Sequence, residues 1–201
     1  MKKGLIVAFF ALLGVTQVVA QVSFRPGIRG GLNFSHFTKG DNSNGGYYDN
    51  NGNYILNSPG SYDTQTAYNF GFYGALHLTK YYTLQPEIDY SRQGSTYKVS
   101  GVSGESKMTI SYLSIAVVNK FTFNKFNIHL GPTIEFVVDK NFNSDSDVDL
   151  AFLLGAGYNF TNQFGIEARI KKGIVPVLDY SYSNHTNVVF QLGATYTFDL
   201  K

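Results

Sequence analysis

A two-residue alternation of apolar and polar side chains recurs in eight segments of this chain and limits the folds open to it. In the first segment, apolar residues fill most even positions from Phe24 to Phe34, and arginine, glycine and asparagine fill the odd ones. The pattern returns in segments that start near Tyr68, Leu84, Leu113, Phe126, Val148, Phe164 and Val188. Because a β-strand turns alternate side chains to opposite faces, period two predicts strands with one apolar and one polar face. No helical period appears after the N-terminal stretch, so the chain is predicted to be all-β with eight strands.

The fourth segment contains a break in this alternation. Leu113, Ile115 and Val117 define its apolar face, whereas Ile110 and Tyr112 fall in the opposite phase. An extra residue in one strand of an antiparallel pair reverses the phase in this way. A β-bulge is therefore predicted near Tyr112.

The connections between the eight segments alternate in length. Four are long and polar and cover residues 38–66, 94–107, 139–147 and 172–186, whereas three are short and lie near residues 79–80, 122–124 and 161–163. Transmembrane barrels of outer membranes have short periplasmic turns and longer extracellular loops. The sequence therefore predicts an eight-stranded antiparallel transmembrane β-barrel with both chain ends on the periplasmic side.

The N-terminal stretch has the form of a secretory signal peptide. Lys2 and Lys3 precede an apolar run over residues 4–15, and Val18, Val19 and Ala20 supply a small-residue cleavage site. The run is shorter than the roughly 20 residues that a membrane-spanning helix needs, so cleavage after Ala20 is favoured over a retained anchor. We therefore expect residues 1–20 to be a signal peptide and residues 21–201 to form the barrel domain.

Removal of this leader changes the charge of the chain. The full sequence has 16 basic and 14 acidic residues, and the leader holds two lysines and no acid, so 14 of each remain. A formally neutral chain has no basic stripe to recruit nucleic acid, so that class of partner is excluded.

The polar face of the segments carries bases and acids in balance. In a membrane barrel this face lines a lumen so narrow that side chains fill it, and unpaired charges buried there are costly. We therefore expect a network of paired charges that leaves no open channel. The predicted lumen charges are Arg25, Arg29, Glu87, Asp89, Lys120, Glu135, Asp149, Glu167, Arg169 and Lys171. A soluble, lipocalin-like barrel, with its apolar face turned inward around a ligand, is the alternative class.

Aromatic residues cluster at the segment ends that the topology assigns to the periplasm. A girdle of aromatic rings at the bilayer interface is typical of outer-membrane barrels. The predicted girdle consists of Tyr81, Tyr82, Phe121, Phe123, Phe126, Phe160, Phe164 and Phe198. On the opposite side, the first long loop carries Tyr47, Tyr48 and Tyr54 among asparagines and glycines, which suits contacts with an external partner. A mobile, low-complexity surface loop explains the same composition equally well.

Few residues suggest catalysis or metal binding. His36 and His185 lie at the extracellular ends of neighbouring segments, with Asp41, Asp179 and Ser183 in adjoining loops, but solvated loop histidines explain them better than a catalytic group does. His77 and His129 are predicted to lie inside as hydrogen-bonded histidines rather than as a metal pair. We expect no catalytic site, no metal and no cofactor.

The chain resembles the outer-membrane β-barrel families that include PorT-like proteins and the small OmpA-like and OmpX-like barrels. The resemblance covers about residues 22–201. It rests on five stretches of sequence: Gly27-Ile28-Arg29-Gly30-Gly31-Leu32-Asn33, Leu84-Gln85-Pro86-Glu87-Ile88, Tyr112-Leu113-Ser114-Ile115 with Lys120-Phe121, Gly131-Pro132, and Gly193-Ala194-Thr195-Tyr196-Thr197-Phe198. It implies the outer membrane of a Gram-negative cell envelope, and for PorT-like relatives a link to protein secretion.

The expected role is structural or interaction-based, in a barrel that is not a wide pore. The expected partners are outer-membrane lipid and lipopolysaccharide, the barrel-insertion machinery and an extracellular or envelope protein. A narrow porin-like channel for small solutes and a secretion-associated PorT-like role remain as alternatives, followed by a rim enzyme and a soluble binder.

Overall fold

The computed structural model describes residues 22–38, 46–48, 54–56, 60–99, 105–142, 146–176, 178–180 and 183–199; within these ranges the side chains of 46–48, 54–56, 60, 99, 178–180 and 183–184 are not described. The expected leader lies outside the described residues. The strands are β1 (Ser23–Phe37), β2 (Gly46–Tyr48), β3 (Tyr54–Leu56), β4 (Gly60–His77), β5 (Tyr82–Val99), β6 (Glu105–Phe123), β7 (Phe126–Lys140), β8 (Val148–Asn159), β9 (Phe164–Gly173), β10 (Leu178–Tyr180), β11 (Ser183–His185) and β12 (Asn187–Thr197).

Eight of these strands form a closed antiparallel barrel, in the order β1-β4-β5-β6-β7-β8-β9-β12 and back to β1. The ring closes where β1 pairs with β12, from Gly27 opposite Thr197 to Phe37 opposite Asn187. The remaining strands form two small hairpins, β2-β3 and β10-β11, in the first and last long connections. The structure therefore confirms the predicted eight-stranded antiparallel barrel. Within the described ranges, no helix has the length and apolarity needed to cross a membrane.

The two faces of the barrel wall divide as the alternation predicts. Phe72, on the outer face, is 66% exposed, whereas Asn33, on the inner face, is 0% exposed. In the fourth segment, Leu113, Ile115 and Val117 all point outward and are exposed. An apolar exterior around a polar interior is stable only when lipid covers it, because the same surface in water would lose the hydrophobic contribution to folding. This arrangement excludes the soluble, lipocalin-like alternative.

Inward-facing glycines make room for the large polar side chains of neighbouring strands. A Cβ added at Gly71 would collide with the carboxylate of Asp89, which lies opposite it on β5. A Cβ added at Gly155 would collide with the His129 ring. The mixture of glycine and charge on the polar face therefore has a packing cause, since a narrow lumen holds a large side chain only beside a small one.

The barrel differs from the prediction at the extracellular ends of three strands. β4 begins at Gly60, β5 continues to Val99 and β6 begins at Glu105, so parts of the predicted loops 38–66 and 94–107 are strand. These extensions are rich in serine, threonine and tyrosine, of which threonine and tyrosine favour strands. The extensions have no apolar face, so they do not show the alternation. A register shift between Ser111 and Tyr112 confirms a bulge near Tyr112, but its extra residue is Val138 on β7, so Ile110 and Tyr112 keep the inward phase of Ser114 on β6. A second register shift lies between Thr64 and Asn69.

The short turns lie where the sequence predicts them. Two are built alike: the hydroxyl of Thr79 accepts a hydrogen bond from the backbone N–H of Tyr82 at 3.0 Å, and that of Thr161 accepts one from Phe164 at 2.9 Å. The third, between β6 and β7, has Asn124 in the left-handed region with φ 58°. Asparagine tolerates this conformation better than most residues, so its position follows from the turn geometry.

Replacement of Asn124 is the first test of this geometry. We expect Asn124→Ala to lower the free energy of unfolding by about 1 kcal/mol, because alanine pays the left-handed penalty without a local hydrogen bond. Asn124→Gly should cost a few tenths at most, since glycine adopts this region freely. Urea unfolding in detergent micelles, followed by circular dichroism, measures both. Equal losses for the two variants would show that the backbone conformation is not the cause.

Candidate functional site: the sealed lumen and the extracellular sheet

The centre of the lumen holds two arginines bonded to three carboxylates. Arg29 on β1 donates from Nε to Glu167 Oε1 at 2.8 Å and from a terminal nitrogen to Asp89 Oδ2 at 2.9 Å. Arg169 on β9 donates hydrogen bonds to both carboxylate oxygens of Glu87, at 2.6 and 2.9 Å, and to Glu167 at 3.0 Å. Two-pronged arginine–carboxylate pairs are among the strongest hydrogen-bonded contacts in proteins. The central cluster therefore ties β1, β5 and β9 together across the barrel.

A second group of polar side chains lies on the extracellular side of this cluster. Lys171 on β9 forms a short ion pair with Glu135 on β7, and the hydroxyl of Ser114 donates to the same carboxylate at 2.6 Å. Asn187 on β12 donates to the Gln93 side chain on β5. The Lys171–Glu135 pair spans β8, and the Asn187–Gln93 bond crosses the lumen from β12 to β5, so side chains fill the lumen at this level.

Only seven of the ten predicted lumen charges form ion pairs with one another in the described barrel. Arg29, Glu87, Asp89, Glu135, Glu167, Arg169 and Lys171 pair with one another inside the barrel. Asp149 is buried and accepts a hydrogen bond from the backbone of Val175 at 3.1 Å. Arg25 and Lys120 lie at the periplasmic mouth, where Arg25 is 3.7 Å from Asp199 and Lys120 donates to Gln85 at 3.3 Å.

The extracellular end of the lumen is closed by an apolar plug that the sequence did not reveal. Phe37, Ile110 and Tyr112 are each 1% exposed and form its centre. Four partly buried side chains pack against them: Tyr62, Met108, Val137 and Phe142. The Phe37 ring lies 5.7 Å from that of Tyr62 and 5.9 Å from that of Phe142. The presence of the apolar Ile110 and the aromatic Tyr112 on the inner face of the fourth segment was the one signal of this plug in the sequence.

The plug and the charge clusters together close the lumen to solutes. A hydrated ion would have to displace close-packed rings and then separate charge pairs that have no exposed alternative partner. The described lumen is therefore sealed towards the cell exterior.

The predicted girdle residues lie beside the short turns. Tyr81 stacks with Phe123 at 6.2 Å between ring centres, and Phe160 stacks with Phe164 at 5.8 Å. Most of the set is exposed on the outer surface: Tyr81, Phe121, Phe123, Phe126, Phe160, Phe164 and Phe198. Tyr82 is partly buried and donates its hydroxyl to Asn119 at 2.7 Å. These exposed rings surround the end of the barrel where the short turns lie.

The histidines considered for catalysis and metal binding occupy separate environments. His36 lies in the outward phase of β1, whereas the His185 ring packs 4.8 Å from Tyr62 and its Nδ1 lies 2.6 Å from the Thr38 carbonyl oxygen. Asp41 and the side chains of Asp179 and Ser183 lie outside the described residues. Inside the barrel, the Nδ1 atom of His129 lies 3.0 Å from Asn127 Oδ1. No cluster of metal-binding side chains occurs among the residues that the structure describes.

A three-stranded sheet of β4, β5 and β6, which we call the extracellular sheet, continues above the plug. Gly60–Thr64 of β4 pair with β5, and β5 pairs with Glu105–Met108 of β6. The pairing of β1 with β4 ends at Gln65, and the pairing of β7 with β6 ends at Ile110. The barrel wall is therefore highest on this side. Both outer strands of the sheet, β4 and β6, extend beyond their pairing with β1 and β7.

An ion-pair triad fastens the extracellular sheet. Lys98 on β5 lies 3.0 Å from Asp63 on β4 and 3.0 Å from Glu105 on β6. The hydrogen bond from Lys98 lowers the pKa of Asp63, and the hydrogen bond to Asp63 raises that of Lys98. A carboxyl with a lowered pKa stabilises the fold above its unfolded pKa and loses that contribution as the pH falls through its folded pKa. The triad is exposed to water, so it holds the sheet weakly, and more firmly at neutral pH than in acid.

The loop tyrosines predicted to contact a partner lie in the β2-β3 hairpin. Tyr47 and Tyr48 are in β2 and Tyr54 is in β3, with Tyr48 opposite Tyr54 in the register. Their side chains lie outside the described part of the structure, so their expected contacts stay a prediction.

Comparisons with known proteins agree with this architecture. Solved structures with the same fold include Neisserial surface protein A, which is 12% identical with a TM-score of 0.52 over 86% of this chain and 97% of that one. Another is Ail, the attachment invasion locus protein of Yersinia pestis, which is 15% identical with a TM-score of 0.50 over 87% of this chain and 98% of that one. No curated protein sequence matches the chain. The family model described as "Outer membrane protein beta-barrel domain" matches residues 5–198. The chain therefore belongs to the family of outer-membrane β-barrel domains.

Proposed function

We propose that this outer-membrane protein presents the extracellular sheet to an extended segment of a protein partner outside the cell. The observation that carries the proposal is the continuation of β4 and β6 beyond the strands that flank them in the barrel. A strand with one unpaired edge offers backbone N–H and C=O groups to another chain, and this pairing is a common mode of peptide recognition.

The two edges of the sheet are not equally available. On β6, the side chain of Asn141 accepts from the backbone N–H of Thr109 at 2.7 Å and donates to the Lys107 carbonyl at 2.8 Å, so it covers part of that edge. On β4, no described strand pairs with Ser61 or Asp63 on the side away from β5. The β4 edge is therefore the docking edge in this proposal.

Transport is less well supported than interaction, because the plug and the charge clusters fill the lumen of the described barrel. The secretion-linked role implied by the resemblance to PorT-like proteins has no particular contact in its favour. Absence of catalysis stays a prediction, and so do cleavage after Ala20 and contact with the barrel-insertion machinery.

Site-specific photo-crosslinking in intact cells tests the docking edge. A photoreactive amino acid at Ser61, on the β4 edge, should give one discrete protein adduct, whereas the same group at Val138, exposed on β7, should not. Lys98→Glu places three acids together in the triad and should abolish the adduct, while Lys172→Glu, exposed on β9, should leave it intact. Adducts of equal yield at both positions, or an adduct insensitive to Lys98→Glu, would contradict the proposal.

The folded state of each variant is read independently. The sheet lies outside the membrane-spanning wall, so Lys98→Glu should keep the change in gel mobility on boiling that folded outer-membrane barrels show. Loss of the adduct with this change retained assigns the effect to the sheet. Absence of an adduct at Ser61 in an otherwise folded protein would also contradict the proposal.

A further inference from the structure

The periplasmic end of the lumen opens into a cavity of about 350 Å³, which we call the periplasmic vestibule. Its lining includes four bases, Arg25, Lys80, Lys120 and Lys125, together with hydroxyl and amide side chains. No carboxylate belongs to its described lining. The vestibule is therefore a concave, electropositive space, whereas the lumen as a whole carries both signs of charge.

Lys120 is the innermost of these bases and has only a neutral partner. Its ammonium group donates to Gln85 Oε1 at 3.3 Å, and the Gln85 amide nitrogen is held in turn by Glu87 at 2.7 Å. In the described barrel, no aspartate or glutamate oxygen lies within 4.0 Å of Lys120. An ammonium group that is partly withdrawn from bulk water and has no bonded counter-ion gains from an added negative charge, so this position favours an anionic ligand.

The nearby carboxylates are not free to serve as that counter-ion. Both oxygens of Glu87 accept from Arg169, and those of Glu167 accept from Arg29 and Arg169. Moving either towards Lys120 would break a pair in the central cluster. At the rim, Asp199 lies 3.7 Å from Arg25, and both side chains are substantially exposed, so water weakens that contact.

We propose that the periplasmic vestibule binds a small molecule that carries two or more phosphate or carboxylate groups. Lys120 anchors one anionic group at the floor, Arg25 and Lys125 neutralise another at the rim, and the hydroxyls of Thr83 and Thr195 donate hydrogen bonds. The volume lies within the range of small-ligand sites. Because the plug closes the opposite end, the ligand enters and leaves on the periplasmic side, so the site senses or stores an anion and does not conduct it.

Calorimetric titration of the full-length barrel in neutral detergent tests this site, with pyrophosphate and citrate as probes at low ionic strength. We expect saturable binding that weakens as salt is added. Lys120→Met should weaken it at least tenfold, whereas Lys172→Met, which removes an exposed lysine from the outer face of β9, should not change it. Pyrophosphate and citrate separate a phosphate ligand from a carboxylate ligand. No binding of either probe, or equal binding in both variants, would overturn the proposal.

A second measurement keeps the test decisive if Lys120→Met does not fold. Amide chemical shifts of the wild-type barrel, followed during pyrophosphate and citrate titrations, should change around Thr83, Thr122 and Thr195, which line the vestibule. Thr133, buried on β7 away from the vestibule, is the internal control. Shifts scattered over the outer surface, or no shifts with either probe, would overturn the proposal independently of any variant.

Discussion

Replacing Arg169 with methionine is expected to lower the free energy of unfolding by about 3–5 kcal/mol, the largest effect of any single change in the lumen. Arg169 supplies the only described base that contacts Glu87, with both terminal nitrogens on that carboxylate. Its removal leaves Glu87 buried at 1% exposure without a bonded counter-charge. The penalty comes from this stranded carboxylate more than from the loss of the pair itself.

The control for this prediction removes the stranded charge. Arg169→Met combined with Glu87→Gln should recover more than half of the loss, because a neutral amide is less costly to bury than an unpaired carboxylate. Lys172→Met, on the outer face of the same strand, should change stability by about 0.5 kcal/mol at most. Urea titrations in lipid vesicles give all three values. A double variant as unstable as the single one would mean that Arg169 acts mainly by filling space.

Replacing Ile115 with arginine is expected to cost about 2–4 kcal/mol, the depth-dependent penalty for a base facing lipid near the middle of the bilayer. Ile115 is 45% exposed and lies between Ile88 and Ile134 on the neighbouring strands, both of which also point outward. This row of isoleucines forms part of the apolar belt. An arginine there must extend towards the interface or draw water into the hydrocarbon.

The matched control for Ile115→Arg is Val138→Arg. Val138 also faces outward, but it lies two residues from the extracellular end of β7. An arginine near the interface should cost about 0–1 kcal/mol. Unfolding free energies measured in vesicles of one lipid composition give the comparison. Equal costs at the two positions would contradict the placement of Ile115 near the middle of the membrane.

The strands and the faces of the barrel could be predicted because one physical requirement repeats along the chain. Lipid requires an apolar outer face, and the lumen accepts a polar inner face. The even or odd position of a residue such as Phe72 or Asn33 within its segment therefore predicts the face on which its side chain lies. The short turns were equally visible, since Asn124 and Thr161 occupy positions with specific local geometry. These features depend on neighbours in sequence.

The pairings in the lumen could not be predicted, because they depend on the registers of several strands at once. Arg169 meets Glu87 across a separation of 82 residues, and Arg29 meets Glu167 across 138. The composition indicated equal numbers of basic and acidic residues. It did not indicate that Lys120 would lie apart from every described carboxylate. The apolar plug was missed for a related reason: Phe37 on β1 meets Ile110 and Tyr112 on β6, two strands that are not neighbours in the barrel.

The extracellular sheet could not be predicted from the sequence, because it lies outside the membrane. Above the bilayer, neither face has to be apolar, so Gly60–Thr64 and Glu105–Met108 lack the alternation that marks the wall. Their pairing depends on β5 between them and on the Lys98 triad. Because lipid does not dictate which side chains these segments carry, their sequences resemble loops. For the same reason their side chains can serve contacts outside the cell.

A lumen closed to ions distinguishes an interaction protein from a channel, and single-barrel recordings in planar lipid bilayers measure whether ions cross it. The purified barrel, shown to be folded by its gel mobility before and after boiling, should give no stable conductance steps in molar potassium chloride, whereas a wide porin inserted under the same conditions should give them. Reproducible unitary steps from this barrel would show that ions cross the charge clusters and the plug. They would contradict the account and make transport the leading function.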